Sequence, residues 1–178
     1  MSTPLERIAA GESRYVFFDL ETTGLTPKRD RVIEIAALKF DRATGELSAF
    51  QSLVKPDRAI PAFVRAMTGL DDAAFADAPE PKEALANFFA FVGEDPLVAY
   101  NIGFDHAFLV AEAERAGLTA PATTVCAMRF AQGRVKDLPN HRLETVAKAL
   151  DVPRPRARRA MEDCLTGLTV FEKSLALA

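Results

Sequence analysis

The stretch that decides the fold is Tyr15–Leu25, YVFFDLETTGL. It begins as a β-prone apolar run and carries two carboxylates, Asp19 and Glu21, towards its far end. Alternate side chains of a strand share a face, so Tyr15, Phe17, Asp19 and Glu21 point one way and Val16, Phe18 and Leu20 the other. Ionised carboxylates beside buried phenylalanines are unfavourable unless something pairs with them. A divalent cation, which takes hard oxygen ligands, is the simplest partner for two adjacent carboxylates. The alternative is an edge strand whose end turns both groups to water.

The 178 residues suit a single domain over 1–178, ordinary in composition at 49% hydrophobic and 26% charged. A chain of this length buries about 70% of its unfolded surface. Thirteen Phe against two Tyr and no Trp predict a phenylalanine-filled core. The formal net charge of −3 argues against binding nucleic acid through bulk positive charge. It is compatible with a locally basic cleft, or with acidic residues that metal ions neutralise. Cys126 and Cys164 form no C-x-x-C pair and are expected as reduced thiols. The opening MSTPLERIAAGESR is too polar for a signal peptide, and no apolar run approaches membrane-spanning length. The expectation is a soluble cytoplasmic domain with no membrane partner.

Beyond Leu25, TPKRDR reads as a turn or short loop, and Val32–Phe40 as a second strand. DRATGEL is a turn into a third strand near Phe50–Val54, which completes an antiparallel meander. Pro56–Leu70 reads as loop and short helix. Leu85, Phe88, Phe89 and Val92 give Pro81–Val92 one apolar helical face. Pro96–Asn101 reads as a buried strand, Phe104–Ala116 as a helix ended by Gly117, and TTVCAM as a fifth strand. Arg142–Leu150 is a short helix and Ala160–Leu177 the last, with Leu165, Leu168, Phe171 and Leu175 facing inward. Strands followed by alternating strands and helices predict an α/β domain, a mixed sheet flanked by helices.

Two more acidic residues stand out. Asp105, in YNIGFDHAFL, falls in the first turn of a helix, where backbone N–H groups favour an anion. Its plainer role is to start that helix. Asp163, in RARRAMEDCLTGL, precedes the inward-facing leucines and leans towards the sheet, or else is a solvated helix carboxylate; Glu162 beside it reads as solvated.

In order, D-x-E-T-T-G-L, N-x-x-F-D-x-x-F-L and an acidic residue on the final helix resemble the DEDD (DnaQ-like) family of 3′→5′ exonucleases. Its members include the proofreading epsilon subunit of bacterial DNA polymerase III, ribonuclease T and oligoribonuclease. The likeness extends through AMTGL and HRLETVAKAL and covers about 14–171. It implies a ribonuclease H-like exonuclease fold with a five-stranded mixed sheet. It also implies that Asp19, Glu21 and Asp163 ligate two Mg²⁺ or Mn²⁺ ions, with Asp105 holding one of them largely through water. Two-metal hydrolysis of the terminal phosphodiester would follow. Thr22, Thr23 and Gly24 would receive the terminal nucleotide, Gly24 permitting close approach, and Leu25 would pack on its base. Asn101 and Phe104 would line the cleft, or in the case of Phe104 hold the strand-to-helix turn.

The sequence departs from the family at one position. The histidine branch carries a His five residues before the last Asp, and a smaller branch a Tyr four before it; here those positions are Arg158 and Arg159. That His takes the proton of the attacking water, which arginine, permanently protonated, cannot do. The chain's two histidines, His106 and His141, are the candidate substitutes. Arg158 reads as an engineered change, a natural weakening, or the mark of a domain that binds ends without cutting them. The cluster Arg154, Arg156, Arg158 and Arg159 either contacts phosphates near the cleft or forms a solvated loop.

The expected function is a divalent-metal-dependent 3′→5′ exonuclease, slowed by Arg158, acting on single-stranded 3′ ends in DNA replication or repair, with DNA placed ahead of RNA. The alternatives are a proofreading subunit partnered with a DNA polymerase and a non-catalytic module that binds nucleic-acid ends.

Overall fold

The computed structural model describes residues 2–11, 13–155 and 159–177. Arg156 and Arg158 lie outside the described residues. The central strand β1 (Arg14–Thr22) pairs antiparallel with β2 (Val32–Asp41), and β2 with β3 (Leu47–Leu53). On its other side β1 pairs parallel with β4 (Leu97–Ala99), which pairs parallel with β5 (Thr124–Cys126). The result is the expected five-stranded mixed sheet, in the order β3-β2-β1-β4-β5.

Helices cover both faces of the sheet. Tyr15 and Phe17 pack with α1 (Pro4–Ala9), α5 (Ala127–Arg134), α6 (Leu143–Ala149) and α7 (Ala160–Ala176). Val16, Phe18 and Leu20 pack with α3 (Pro81–Val92) and α4 (Ile102–Ala116). The alternation read from YVFFDLE therefore holds, and it commits Asp19 and Glu21 to the α7 face. The rings fill the core as composition predicted: Phe171 of α7 meets Tyr15 edge-on at 5.6 Å, and Phe88 of α3 lies 5.8 Å from Phe18. A smaller cluster of Ile33, Ile60, Val64, Leu70 and Phe75 seats α2 (Ala62–Thr68) and the 3₁₀ turn Asp72–Phe75 beyond the end of β2.

Several local expectations need correction. The third strand runs over Leu47–Leu53 rather than Phe50–Val54, because the Asp41 carboxylate closes the preceding turn by accepting from the N–H groups of Ala43 and Thr44. The fifth strand stops at Cys126 and α5 follows at once, a helix the sequence reading lacked. It also lacked α1, which starts on a capping box in which Thr3 Oγ1 accepts from Glu6 N–H and Glu6 returns the bond to Thr3 N–H. On α7, Leu165 is 45% exposed; the inward face is Cys164, Gly167, Leu168, Phe171 and Leu175. Glu162 is half-buried rather than solvated. Among the described residues, no helix is long and apolar enough to cross a membrane.

Candidate active site

The site lies at the C-terminal ends of β1 and β4, where the chain leaves β1 to one side of the sheet and returns on the other. Such switch points open a crevice in α/β sheets. A cavity of about 220 Å³ occupies it, lined by Asp19, Glu21, Asp105 and Asp163 with Leu20, Met67, Tyr100, Asn101, Phe104, Leu143 and Arg154. A larger groove of about 720 Å³ lies at the opposite end of β1, but its Lys39 and Arg14 are both paired to Asp95. The acidic cavity gathers four carboxylates.

Each acid arrives by a different route. Asp19 and Glu21 come from β1, whose pairing with β2 shifts register between Glu21 and Thr22. Asp163 is carried by the first turn of α7, beside the fully buried Cys164, whose Sγ–H donates to the Phe17 carbonyl at 3.2 Å. One carboxylate oxygen from each of Asp19, Glu21 and Asp163 lies within 4.8 Å of the others. Asp105, buried in the first turn of α4, closes the set from the far wall. All four predicted acids thus line one cavity.

Electrostatics show what this arrangement lacks. Desolvation raises Asp19 well above the usual carboxylate range, and the charges of Asp105, Asp163 and Glu21 raise it further, with Arg154 pulling the other way. Burial pushes Asp105 up to about 7 against the backbone N–H groups of Asp105 and Leu20, which favour its anion. Like charges gathered in one small cavity repel unless a cation joins them. The four carboxylates are hard oxygen donors with no imidazole or thiol among them, the set that suits an oxygen-seeking divalent cation.

Thr22–Leu25 follow directly on Glu21, at the end of β1 that the cavity occupies. Thr22 Oγ1–H donates to the Gly24 carbonyl at 2.6 Å, and Thr23 binds Arg31 twice, N–H to carbonyl and Oγ1 from N–H, both at 2.9 Å. The close approach that demands glycine at position 24 comes from within the loop: a Cβ there would sit 2.5 Å from Asp30 Oδ2. Arg115 clasps the same loop, donating to the carbonyls of Pro27 and Asp30. The tied-down loop presents Leu25, 81% exposed. Phe104 lines the cavity and meets Phe108, one turn on along α4, at 5.0 Å with the rings tilted.

The histidines stand elsewhere. His106 Nε2 lies 2.8 Å from the Pro121 carbonyl and His141 Nε2 2.8 Å from that of Val135, so each ring holds a loop. Of the arginines before α7, the two among the described residues, Arg154 and Arg159, are engaged rather than solvated. Arg154 forks onto Asp163 and reaches Glu144. Arg159 donates to Glu34 through Nε and Nη2, at 3.0 and 2.6 Å.

Glu34 is the residue the sequence reading passed over. It sits opposite Glu21 in the β1–β2 register and is fully buried, where two like charges would repel. Burial alone would raise its pKa, but Arg159, Gln51 Nε2–H and Ala160 N–H outweigh burial and lower it. Glu34 thereby fastens the first residues of α7, the helix that carries Asp163. The available signal was a lone carboxylate within the apolar run VIEIAALKF.

Comparison with known proteins agrees with this site. The RNase_T family model, described as "Exonuclease", matches residues 16–171. The chain is 34% identical over 170 residues to a DNA polymerase III PolC-type of Caldanaerobacter subterraneus, covering 96% of this chain but only 12% of that protein. It is 34% identical to the DNA polymerase III subunit epsilon of Treponema pallidum, covering 91% and 76% of the two chains. Among solved structures, E. coli Exonuclease I in complex with a dT13 oligonucleotide superposes with a TM-score of 0.76 at 20% identity, over 88% of this chain and 40% of that one. Cell-death related nuclease 4 gives 0.80 at 17% identity, over 93% and 64%. At such identities the structures speak for the fold alone, which is that of ribonuclease H-like exonucleases. Matched by the family model across nearly its whole length, the chain belongs to the RNase_T exonuclease family.

Proposed function

We propose that residues 1–178 act as one divalent-metal-dependent 3′→5′ exonuclease domain on single-stranded ends, DNA ahead of RNA. The observation that carries this is the convergence of Asp19, Glu21 and Asp163 within 4.8 Å, beside a buried Asp105. Asp19, Glu21 and Asp163 hold two cations, Mg²⁺ or Mn²⁺, and Asp105 supports one of them. When bound, the cations supply Lewis-acid stabilisation of charge at the phosphate and a nucleophile at neutral pH.

The chain's own side chains do the rest. Leu25 offers an apolar face to the terminal base, and Thr22, Thr23 and Gly24 shape the floor beneath the terminal nucleotide. Asn101 and Phe104 confine it from the opposite wall. No imidazole takes the proton of the attacking water: Arg158 stands where the family has His, and His106 and His141 are occupied at carbonyls. The reaction is therefore slow. A cytoplasmic setting fits this role.

The one-third identity to PolC-type and epsilon chains favours a second reading, in which the domain proofreads beside a DNA polymerase. Hydrolysis of labelled single-stranded DNA and RNA with Mg²⁺ or Mn²⁺, against EDTA, tests the first reading. Single nucleotides should be released from 3′ ends, metal should be essential, and Asp19→Ala should abolish the activity. Tight binding of ends with no turnover in either metal would leave a binding module instead.

A further inference from the structure

Arg154 donates from Nε to Asp163 Oδ1 at 3.2 Å and from Nη2 to Oδ1 and Oδ2 at 2.9 and 3.1 Å, while Nη1 reaches Glu144 Oε2 at 3.1 Å. Pro153 and Pro155 bracket it, and the residue before a proline is held to extended backbone. Buried Val152 anchors this segment to the core under α6 and α7. The guanidinium is thus presented into the acidic cavity from a stiff support.

Both oxygens of Asp163 are engaged, so a cation binding there must take at least one of them from Arg154. A dication beside those oxygens also repels the guanidinium. Glu144 is half exposed and stands outside the acidic cluster, so it keeps hold of Arg154 when Asp163 lets go. The next anion to enter the cavity is the phosphate of a nucleic-acid strand, whose oxygens match a guanidinium fork as a carboxylate does.

We infer that Arg154 is a transferable counter-charge. It neutralises Asp163 in the metal-free site, yields that carboxylate to the divalent cation, and passes to a phosphate oxygen of the bound strand. This rests on the exonuclease reading above.

The test compares the full chain with Arg154→Gln and Arg154→Lys, each checked for native folding by circular dichroism. Mn²⁺ affinity is measured by calorimetry, and binding of a single-stranded oligonucleotide is measured in Ca²⁺ over a salt series. Arg154→Gln should bind Mn²⁺ roughly fivefold more tightly, the scale of one ion pair no longer displaced. Its oligonucleotide affinity should fall, and the slope of log affinity against log salt should shrink by about 0.7, one phosphate contact on a single strand. Arg154→Lys, which keeps the charge, should retain most of that slope. Weaker Mn²⁺ binding in Arg154→Gln, or an unchanged slope, would reduce Arg154 to a structural brace while leaving the exonuclease reading intact. Failure of the parent chain to bind or cut ends in any metal would overturn both.

Discussion

Gly167 of α7 lies against the ring of Phe17 on β1, so close that a Cβ at Gly167 would come within 2.6 Å of two ring carbons. Two residues further along β1 is Asp19, and four residues back along α7 is Asp163. Two strand residues advance about 6.6 Å and four helical residues about 6 Å, so the Phe17–Gly167 contact brings the two acids level. Tyr15 O–H to Glu172 at 2.7 Å continues the same antiparallel alignment one step further.

Gly167→Ala should therefore be destabilising although alanine is the better helix former. Overpacking against a fully buried ring costs about 1–3 kcal/mol, more than the roughly 1 kcal/mol of helix propensity gained. Thermal melting should show a lower Tm, and Mn²⁺ titration a weaker site, because α7 shifts relative to Asp19. Gly133→Ala on α5 is the control: nothing lies within 4 Å of a Cβ there, and the Tm should hold or rise.

Asp19 and Asp105 predict how the metal-free protein responds to pH. Both are raised in the fold, Asp105 to about 7, so the folded chain keeps protons that the unfolded chain releases from about pH 4 upward. Stability without metal should fall as pH rises through that window. Mn²⁺ should reverse the trend, its stabilisation growing with pH as protons cease to compete. Asp19→Asn should raise the metal-free Tm at pH 8 and forfeit most of the gain from Mn²⁺. A metal-free Tm that climbs between pH 5 and 8 would contradict this.

The sequence alone disclosed the strand alternation of β1, the four acids and the mixed sheet, because each rests on local periodicity or a short motif. What it hid depends on partners far along the chain. Glu34 meets Arg159 across 125 residues, and neither neighbourhood announces the other. Gly24 read as allowing a close approach, and the neighbour that a Cβ there would meet is Asp30, brought back by the loop. Leu165 matched the helical period, yet Gly167 and Cys164 fit closer to the sheet and turned the face around them.

Glu34→Gln should isolate what the Glu34–Arg159 clasp contributes. The amide keeps the shape but loses the charge, at a cost of about 2 kcal/mol, since Arg159 is 34% exposed and the pair is only half desolvated. Because Glu34 is lowered in the fold, its contribution is present above the ordinary value near 4.3 and lost as pH falls through the lower folded value. The Tm gap between parent and variant should accordingly close below about pH 4. Metal affinity should weaken with it, as the first turn of α7 loosens around Asp163. A gap that persists unchanged in acid would mean the charge is not what holds this helix.

Arg158→His tests whether the chain is a nuclease without its base. The position falls five residues before Asp163, where the family carries its proton acceptor, and arginine stays protonated at any working pH. Supplying an imidazole should raise the rate of end hydrolysis by something approaching the 10²- to 10⁴-fold of general-base catalysis. The gain should disappear on the acid side of pH 6–7, where the new histidine holds its own proton. Asp105, raised to about 7, also titrates in this range, so the acid limb must be read as a ratio of variant to parent. In that ratio the carboxylate cancels and the imidazole remains. Affinity for a 3′ end should change little or fall slightly, since one cation is removed. A large, imidazole-shaped gain would identify the missing base; a fast parent with no gain would assign proton removal to something other than this position.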